Sequence, residues 1–388
     1  MTNTVSSSRL TSLDVFRGFT VAGMIMVNNP GSWATIYPPL AHAKWHGCTP
    51  TDLVFPFFLF IVGVAITISL GKKKEQGADH NAILLGAAKR SAILIGLGLF
   101  TAAFPFYFWN SGNWVNLETI RIPGVLQRIG VVYFIASFVF LKFDIKWQAI
   151  IGAALLILYW PLMTLIPIPG IGMPDINDPL KVISAYIDNI ILHGHMWGAT
   201  KVWDPEGLVS TLPAISTTLS GIMLGHLLRS KLEQNEKAAW IFFGGTSALL
   251  GGYLWSLAFP LNKSLWTSSY VIYTAGLALL IFGFCYWLID VKGYSKWTKP
   301  FVVYGTNAIT VFVASGLMAK LMGMIRWQIG TTAEGDPIQT SVSGWLYKNI
   351  FLSVFTDYNA SLAFALTYVV FWGAIVWWMH NKKIFIKI

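Results

Sequence analysis

Ten runs of apolar residues, each roughly 18 to 23 residues long, decide what this 388-residue chain can fold into. They lie near 13–30, 52–70, 88–106, 124–141, 147–166, 208–228, 239–258, 268–290, 300–322 and 359–380. A helix crossing a hydrocarbon core of about 30 Å needs about 20 such residues. Lipid offers no partner to an open backbone, so only helices or closed barrels span it, and continuous apolar runs select helices. The expected fold is therefore all-α: a polytopic membrane protein with about ten transmembrane helices in a lipid bilayer. Charged residues are 11% of the chain, against about 25% in soluble domains, which excludes a soluble enzyme with an anchor. We divide the chain into a short cytoplasmic start (1–12), one transmembrane domain (13–380) and a basic cytoplasmic tail (381–388). Met1 to Arg9 reads as a disordered terminus. The first run has no small-residue cleavage site and is expected to remain as the first helix.

Charge sets the expected orientation. Lys72, Lys73, Lys74, Lys89 and Arg90 follow the second run, and Lys142 and Lys146 follow the fourth. Arg229, Lys231 and Lys237 follow the sixth, Lys292, Lys296 and Lys299 the eighth, and Lys382, Lys383 and Lys387 the last. Basic loops alternate with non-basic ones, the pattern of cytoplasmic loops, so both termini are expected inside. The net charge of +10 is thus a topology signal and not a nucleic-acid footprint. Counting Trp345 to Phe355 as a further span would put the basic tail outside, so this stretch reads as interfacial or re-entrant. Cys48 and Cys285 are far apart, and no structural disulfide is expected.

The stretch from Asn28 to Phe60 stands out. It holds a loop with Trp33, His42, Trp45, His46, Pro50 and Asp52 between two apolar flanks, where a simple turn would serve. By charge it faces outward, with the segments Trp109 to Arg121 and Pro167 to Gly207. All three carry tryptophans: Trp33 and Trp45, Trp109 and Trp114, Trp197 and Trp203. Such rings serve equally as an interfacial belt or as a sugar-stacking vestibule, with Trp45 as a sugar contact.

Several polar residues admit two readings. Asp14 and Arg17, three apart, share one helix face; they form a local ion pair, or Arg17 meets an anionic cofactor from the cytoplasm. Asn28 lies eleven residues beyond Arg17, about 16 Å along a helix axis. Asp52 after Thr49-Pro50-Thr51 fits a helix cap, and also a substrate contact. Arg128, inside the fourth run, is a functional candidate as an intramembrane charge, or the partner of Asp14 or Asp52. Asn307 in the ninth run is a substrate contact or an interhelical hydrogen-bonding group. His193, His195, Asp204 and Glu206 offer metal-ligand types without thiolates or a helical histidine pair; no metal is expected, and His195, Asp204 and Glu206 are kept as substrate contacts.

Taken in order, four motifs resemble one family: Ser-Leu-Asp-Val-Phe-Arg-Gly from Ser12, His-Ala-Lys-Trp-His-Gly from His42, Arg-Ile-Pro-Gly-Val-Leu-Gln-Arg-Ile from Arg121, and Trp-Asp-Pro-Glu-Gly-Leu-Val-Ser-Thr-Leu from Trp203. The family is the heparan-alpha-glucosaminide N-acetyltransferases, including bacterial relatives of the lysosomal enzyme. Leu-Trp-Thr-Ser-Ser-Tyr and Tyr-Gly-Thr-Asn-Ala-Ile are also similar to it. The resemblance runs from Arg9 to about Val313. It implies acetyl transfer from cytosolic acetyl-CoA, the co-substrate, to a glucosamine amine across the membrane. It implies a catalytic His at His42 and a catalytic Asn at Asn28; Arg17, Asp14 and Arg128 are kept as cofactor-side candidates on the reading of the residues above. His46 stands where the lysosomal enzyme has Asn, so catalysis is not carried onto it. The lysosomal protein's large N-terminal lumenal domain and the span after it have no counterpart in this sequence, which agrees with ten spans and draws the acceptor away from heparan. The similar Asp-x-x-Arg-Gly start of acyltransferase-3 proteins supports a CoA role for Arg17 by analogy.

The expectation is a multi-pass acetyltransferase of a bacterial inner membrane. Its partners are acetyl-CoA and an amino-sugar or oligosaccharide acceptor, with no nucleic acid, and a homodimer is compatible with it. Two other classes remain: a sugar or amino-sugar transporter, for which the chain lacks recognisable inverted repeats, and a non-enzymatic assembly factor.

Overall fold

The computed structural model describes residues 10–108, 112–332 and 334–386. Met1 to Arg9, Trp109 and Lys387 lie outside the described residues. The described chain is mostly helical: α1 (Thr11–Asn28), α2 (Val54–Glu75), α3 (His80–Ala103), α4 (Val125–Lys142), α5 (Ile145–Thr164), α6 (Ile183–Ile191), α7 (Thr211–Arg229), α8 (Gln234–Ser256), α9 (Ser268–Cys285), α10 (Lys299–Thr306), α11 (Ala308–Met324), α12 (Val342–Leu346) and α13 (Asp357–Asn381). A short π-helical stretch, Tyr286–Val291, prolongs α9.

Each of the ten apolar runs becomes helix. Among the described residues, seven helices are long and apolar enough to cross a membrane: Pro50–Glu75, His80–Ala103, Val125–Lys142, Ile145–Thr164, Thr211–Arg229, Ser268–Val291 and Asp357–Asn381. The ninth run is not one straight rod. It breaks into α10 and α11, bent by 79° at Asn307, and counts as an eighth crossing only if the pair is taken together. Asn307 leaves helical geometry (φ −122°, ψ 36°), and its side chain bonds the tail. α1 and α8 have spanning length but are less apolar than these seven. α1 carries Asp14 and Arg17, and α8 opens with Gln-Asn-Glu-Lys.

Local chemistry explains the ends. Asp79 caps α3 by accepting the amides of Asn81 and Ala82, and Asp144 caps α5 through Trp147. Thr49 and Asp52 form a capping box on the 3-10 turn Pro50–Leu53 that leads into α2, with proline in its first turn. Packing between helices relies on small residues, as in membranes generally, where the apolar effect does not favour helix over lipid. α2 and α7 cross so closely that a Cβ on Gly63 would overlap the Thr218 carbonyl, and one on Gly221 the Phe60 carbonyl. Gly221-Ile-Met-Leu-Gly225 has the small-xxx-small spacing that permits this.

The basic loops collect at one end of the bundle. There Arg229 pairs with Glu75 at 2.5 Å, Lys74 reaches the Leu141 carbonyl at 3.4 Å, and the Ser12 amide meets Asp290 at 3.2 Å. The loops between α1 and α2, α3 and α4, α5 and α7, and α8 and α9 gather at the other end. Two antiparallel hairpins were not foreseen from the hydropathy pattern: β1 (Tyr107–Phe108) with β2 (Asn113–Trp114), and β3 (Arg326–Thr331) with β4 (Pro337–Ser341). The 345–355 stretch forms α12 and a π-helical turn, Tyr347–Phe351, too short to span.

Candidate active site

The last turns of α1 run beside the start of α2: a Cβ on Gly23 would lie 3.9 Å from Val54 Cγ2. This brings Asn28, at the end of α1, to the level of the 41–52 loop. That loop is pinned from outside itself. The Gly47 amide donates to the Leu261 carbonyl (2.8 Å), Trp45 Nε1 to the Ile176 carbonyl (2.9 Å), and His46 Nε2 lies 3.1 Å from Asn177 Oδ1. Gly47 takes φ +118°, a conformation that disfavours any side chain. Trp45 also meets Trp203 edge-on at 5.3 Å.

At the centre of this loop, Asp52 is buried and His42 is half-exposed. Asp52 Oδ2 accepts the amides of Ala43 and Thr49, both at 3.0 Å, and the Tyr270 hydroxyl holds the Asp52 carbonyl at 2.5 Å. Asp52 Oδ1 lies 2.7 Å from His42 Nδ1. A carboxylate that takes two amide donors is an acceptor, so Nδ1 carries the proton and donates to it. In the neutral form of the ring this places the lone pair at Nε2. Sequence reasoning left Asp52 between cap and substrate contact. The structure uses it as a cap and as the group that orients His42.

Lys263, in the loop between α8 and α9, completes the cluster and was not foreseen. Its Nζ is 3.7 Å from Asp52 Oδ1, 3.1 Å from His42 Nδ1 and 3.4 Å from His42 Nε2. Its only sequence signal was a lysine between two apolar runs on a side otherwise poor in basic residues.

A cavity of about 550 Å3 opens at the same end, lined by α1, α3, α4 and α11. Asn28 lines it, with Arg121, Gln127, Trp197 and Lys320, whereas His42 does not. The Asn28 amide has no hydrogen-bond partner among the described residues. Arg121 was also missed as a site residue. It donates to Asp204 through Nε (2.8 Å) and Nη2 (2.6 Å) and to Glu206 (2.5 Å), and lies over the Trp197 ring at 5.9 Å. The two carboxylates raise its already high affinity for the proton, against the opposing effect of burial.

Asp204 and Glu206 therefore face Arg121 and not open solvent. His195 Nδ1 lies 2.8 Å from the Ile120 carbonyl, and His193 Nδ1 3.1 Å from Asn189 Oδ1, so the two histidines point to different partners. No three metal-ligating side chains converge among the described residues. Arg128 donates to the Gly207 carbonyl (3.1 Å) and Ser210 Oγ (2.5 Å) and lies over Trp266 at 5.2 Å, so its partners are the start of α7 and an indole.

The opposite end holds the other expected residues. Arg17 lies 3.4 Å from Asp14, the i,i+3 pair read from sequence. Arg17 and Arg90 line a second cavity, of about 370 Å3, with residues of α1 to α4, α10, α11 and Ile386. Arg90 is half-buried over the Tyr133 ring at 4.9 Å. Asn307 is here too. It donates to the Ile384 carbonyl (3.0 Å) and accepts the Ile386 amide (2.9 Å), so it holds the tail, far from the tryptophan-bearing loops where a sugar contact was expected.

Comparison with known proteins gives a consistent result. Residues 9–255 match the family model described as heparan-alpha-glucosaminide N-acetyltransferase, catalytic. The human heparan-alpha-glucosaminide N-acetyltransferase is 32% identical over 319 residues, covering 70% of this chain and 47% of its own length. The mouse protein of the same name is 30% identical over 315 residues, covering 69% and 47%. The chain thus spans about half the length of the curated relatives it matches.

Proposed function

The chain belongs to the heparan-alpha-glucosaminide N-acetyltransferase family, and from that premise we propose that it moves acetyl from cytoplasmic acetyl-CoA to the amine of a glucosamine-type sugar at the outer face of a bacterial cytoplasmic membrane. The observation that carries this reading is the pair of cavities. The same four helices, α1, α3, α4 and α11, line both, one at Arg17 and the other at Asn28. A long, flexible thioester with an anionic head could lie along these helices with one end in each cavity. Its phosphates would meet Arg17 and Arg90 at the basic end, and its acetyl group would lie near Asn28. Charge alternation supports the basic end as cytoplasmic. With α1, α8 and the α10/α11 pair counted as crossings, the described residues supply ten.

His42, Asn28 and Asp52 divide the chemistry. The acceptor amine attacks the thioester carbonyl and must lose a proton. His42 takes it at Nε2, while Asp52 fixes the tautomer and stabilises the imidazolium that forms. The Asn28 amide, without a partner among the described residues, donates to the carbonyl oxygen as negative charge develops. The thiolate leaves as the C–S bond breaks and is reprotonated from His42. With both substrates bound side by side, proximity makes an acetyl-histidine intermediate unnecessary. Trp45 and the outer loops contribute the sugar surface.

The test uses purified protein in detergent, acetyl-radiolabelled acetyl-CoA and glucosamine. Formation of N-acetylglucosamine without any gradient is expected. Absence of product with a panel of amino sugars, together with uptake of the same sugars into proteoliposomes, would replace the enzyme with a transporter.

A further inference from the structure

Lys263 places a second primary amine beside the base. Its ammonium is 3.1 Å and 3.4 Å from the two nitrogens of His42. An atom that close to both cannot lie in the ring plane, because there it would overlap Cε1. It therefore sits over the face of the imidazole, and the in-plane lone pair of Nε2 stays open. The lysine backbone is held still. Trp266 N bonds the Lys263 carbonyl (3.1 Å), Leu265 N bonds Asn262 Oδ1 (2.9 Å), and Asn262 N bonds Thr267 Oγ1 (3.0 Å). With the backbone tied in this way, the side chain is the part free to swing from the ring face toward the ring edge at Nε2, where an amine can hand over a proton.

We propose that Lys263 is a self-acetylation site: with acetyl-CoA present and no sugar bound, its Nζ attacks the thioester, giving N-acetyl-lysine and free CoA thiol. The inference rests on the acetyltransferase reading above. The N–C bond forms as the C–S bond breaks. The amine proton passes to His42 Nε2 and on to the departing sulfur, and nothing is oxidised or reduced. Burial lowers the hold of Lys263 on its proton, so the free amine that attacks is more accessible than for a surface lysine, while Asp52 opposes this. An amide is too stable to pass acetyl onward, so the product is a modification and not an intermediate. It removes the cation beside Asp52 and places an acetyl group over His42. Sugar, by occupying the amine position, protects the enzyme.

The test incubates the full-length protein with acetyl-CoA alone, with acetyl-CoA plus glucosamine, and as the His42→Ala variant with acetyl-CoA alone. Peptide mass spectrometry then follows Lys263 against the exposed Lys201. Proximity predicts acetyl incorporation at Lys263 at least about tenfold above Lys201. That excess disappears with glucosamine and in His42→Ala. Preincubation with acetyl-CoA lowers later turnover of the wild type, whereas Lys263→Arg loses no further activity on preincubation. Glucosamine turnover without excess label on Lys263 overturns the inference and leaves the enzyme reading standing. Equal label in wild type and His42→Ala also overturns it, as ordinary chemical acetylation. Neither turnover nor label overturns both.

Discussion

The two ends of the bundle treat charge in opposite ways. At the loop end, the two cations nearest the candidate site are paired with carboxylates: Lys263 with Asp52, and Arg121 with Asp204 and Glu206. Backbone donors complete Asp52, and the assembly is polar but nearly neutral. At the basic end, Arg17 and Arg90 line a cavity, Arg17 lies beside Asp14, and the loops around it are rich in lysine. A neutral, preorganised polar cluster suits bond making and breaking, where donors must be aimed before charge develops. A cationic cavity suits the binding of a polyanion. On the proposed reading, one membrane domain separates chemistry from anchoring by the length of α1.

Breaking the loop end has the largest expected effects. His42→Ala removes the proposed base and is expected to lower kcat by about 10²- to 10⁴-fold while acetyl-CoA still binds. Turnover and equilibrium binding of labelled acetyl-CoA check both halves, and near-normal turnover would remove His42 from the chemistry. Arg121→Met leaves Asp204 and Glu206 without their cation. Removing one partner of a buried pair costs about 3–5 kcal/mol, so a clear fall in thermal stability is expected in detergent. Unchanged stability would show that the carboxylates are solvated or protonated.

Asn28→Ala sharpens the comparison, because it touches the cavity but no ion pair. A lost carbonyl donor is expected to lower kcat by about 10²- to 10³-fold with little change in stability. Arg17→Ala probes the other end, and a tenfold or so rise in the KM for acetyl-CoA is expected, with the sugar KM unchanged. Equal changes in both constants would return Arg17 to a structural ion pair with Asp14.

The smallest effect concerns Asp188, a loop-end carboxyl on α6 without a cation in hydrogen-bonding reach. Burial pushes it up from 3.8 to about 6, although it accepts the Leu208 amide at 2.9 Å. The folded state therefore prefers the protonated form. Its contribution to stability is complete below about pH 4 and is lost as pH rises through about 6. Limited proteolysis of the α6 segment is expected to be slower at pH 5 than at pH 7.5, and Asp188→Asn to remove that difference.

What the sequence determined is local. Apolar run length marked all ten helical stretches, most within a few residues, from Thr11–Asn28 to Asp357–Asn381, although α3 begins at His80, well before its run, and the ninth run is broken in two. The i,i+3 spacing gave the Asp14–Arg17 pair, and Thr49-Pro50-Thr51-Asp52 gave the cap. Motif order identified the family. These signals are carried by neighbours in the chain, where helical period and capping chemistry act. Tertiary structure alone decided which polar groups meet. Lys263 and His42 are 221 residues apart, Tyr270 and Asp52 218, and Arg121 and Asp204 83. No local pattern links them, because their meeting depends on how helices cross, and the crossings depend on close contacts such as Gly63 with α7. The break at Asn307 is of the same kind: its hydropathy reads as a continuous span, and the returning tail supplies the partners of its side chain at the bend.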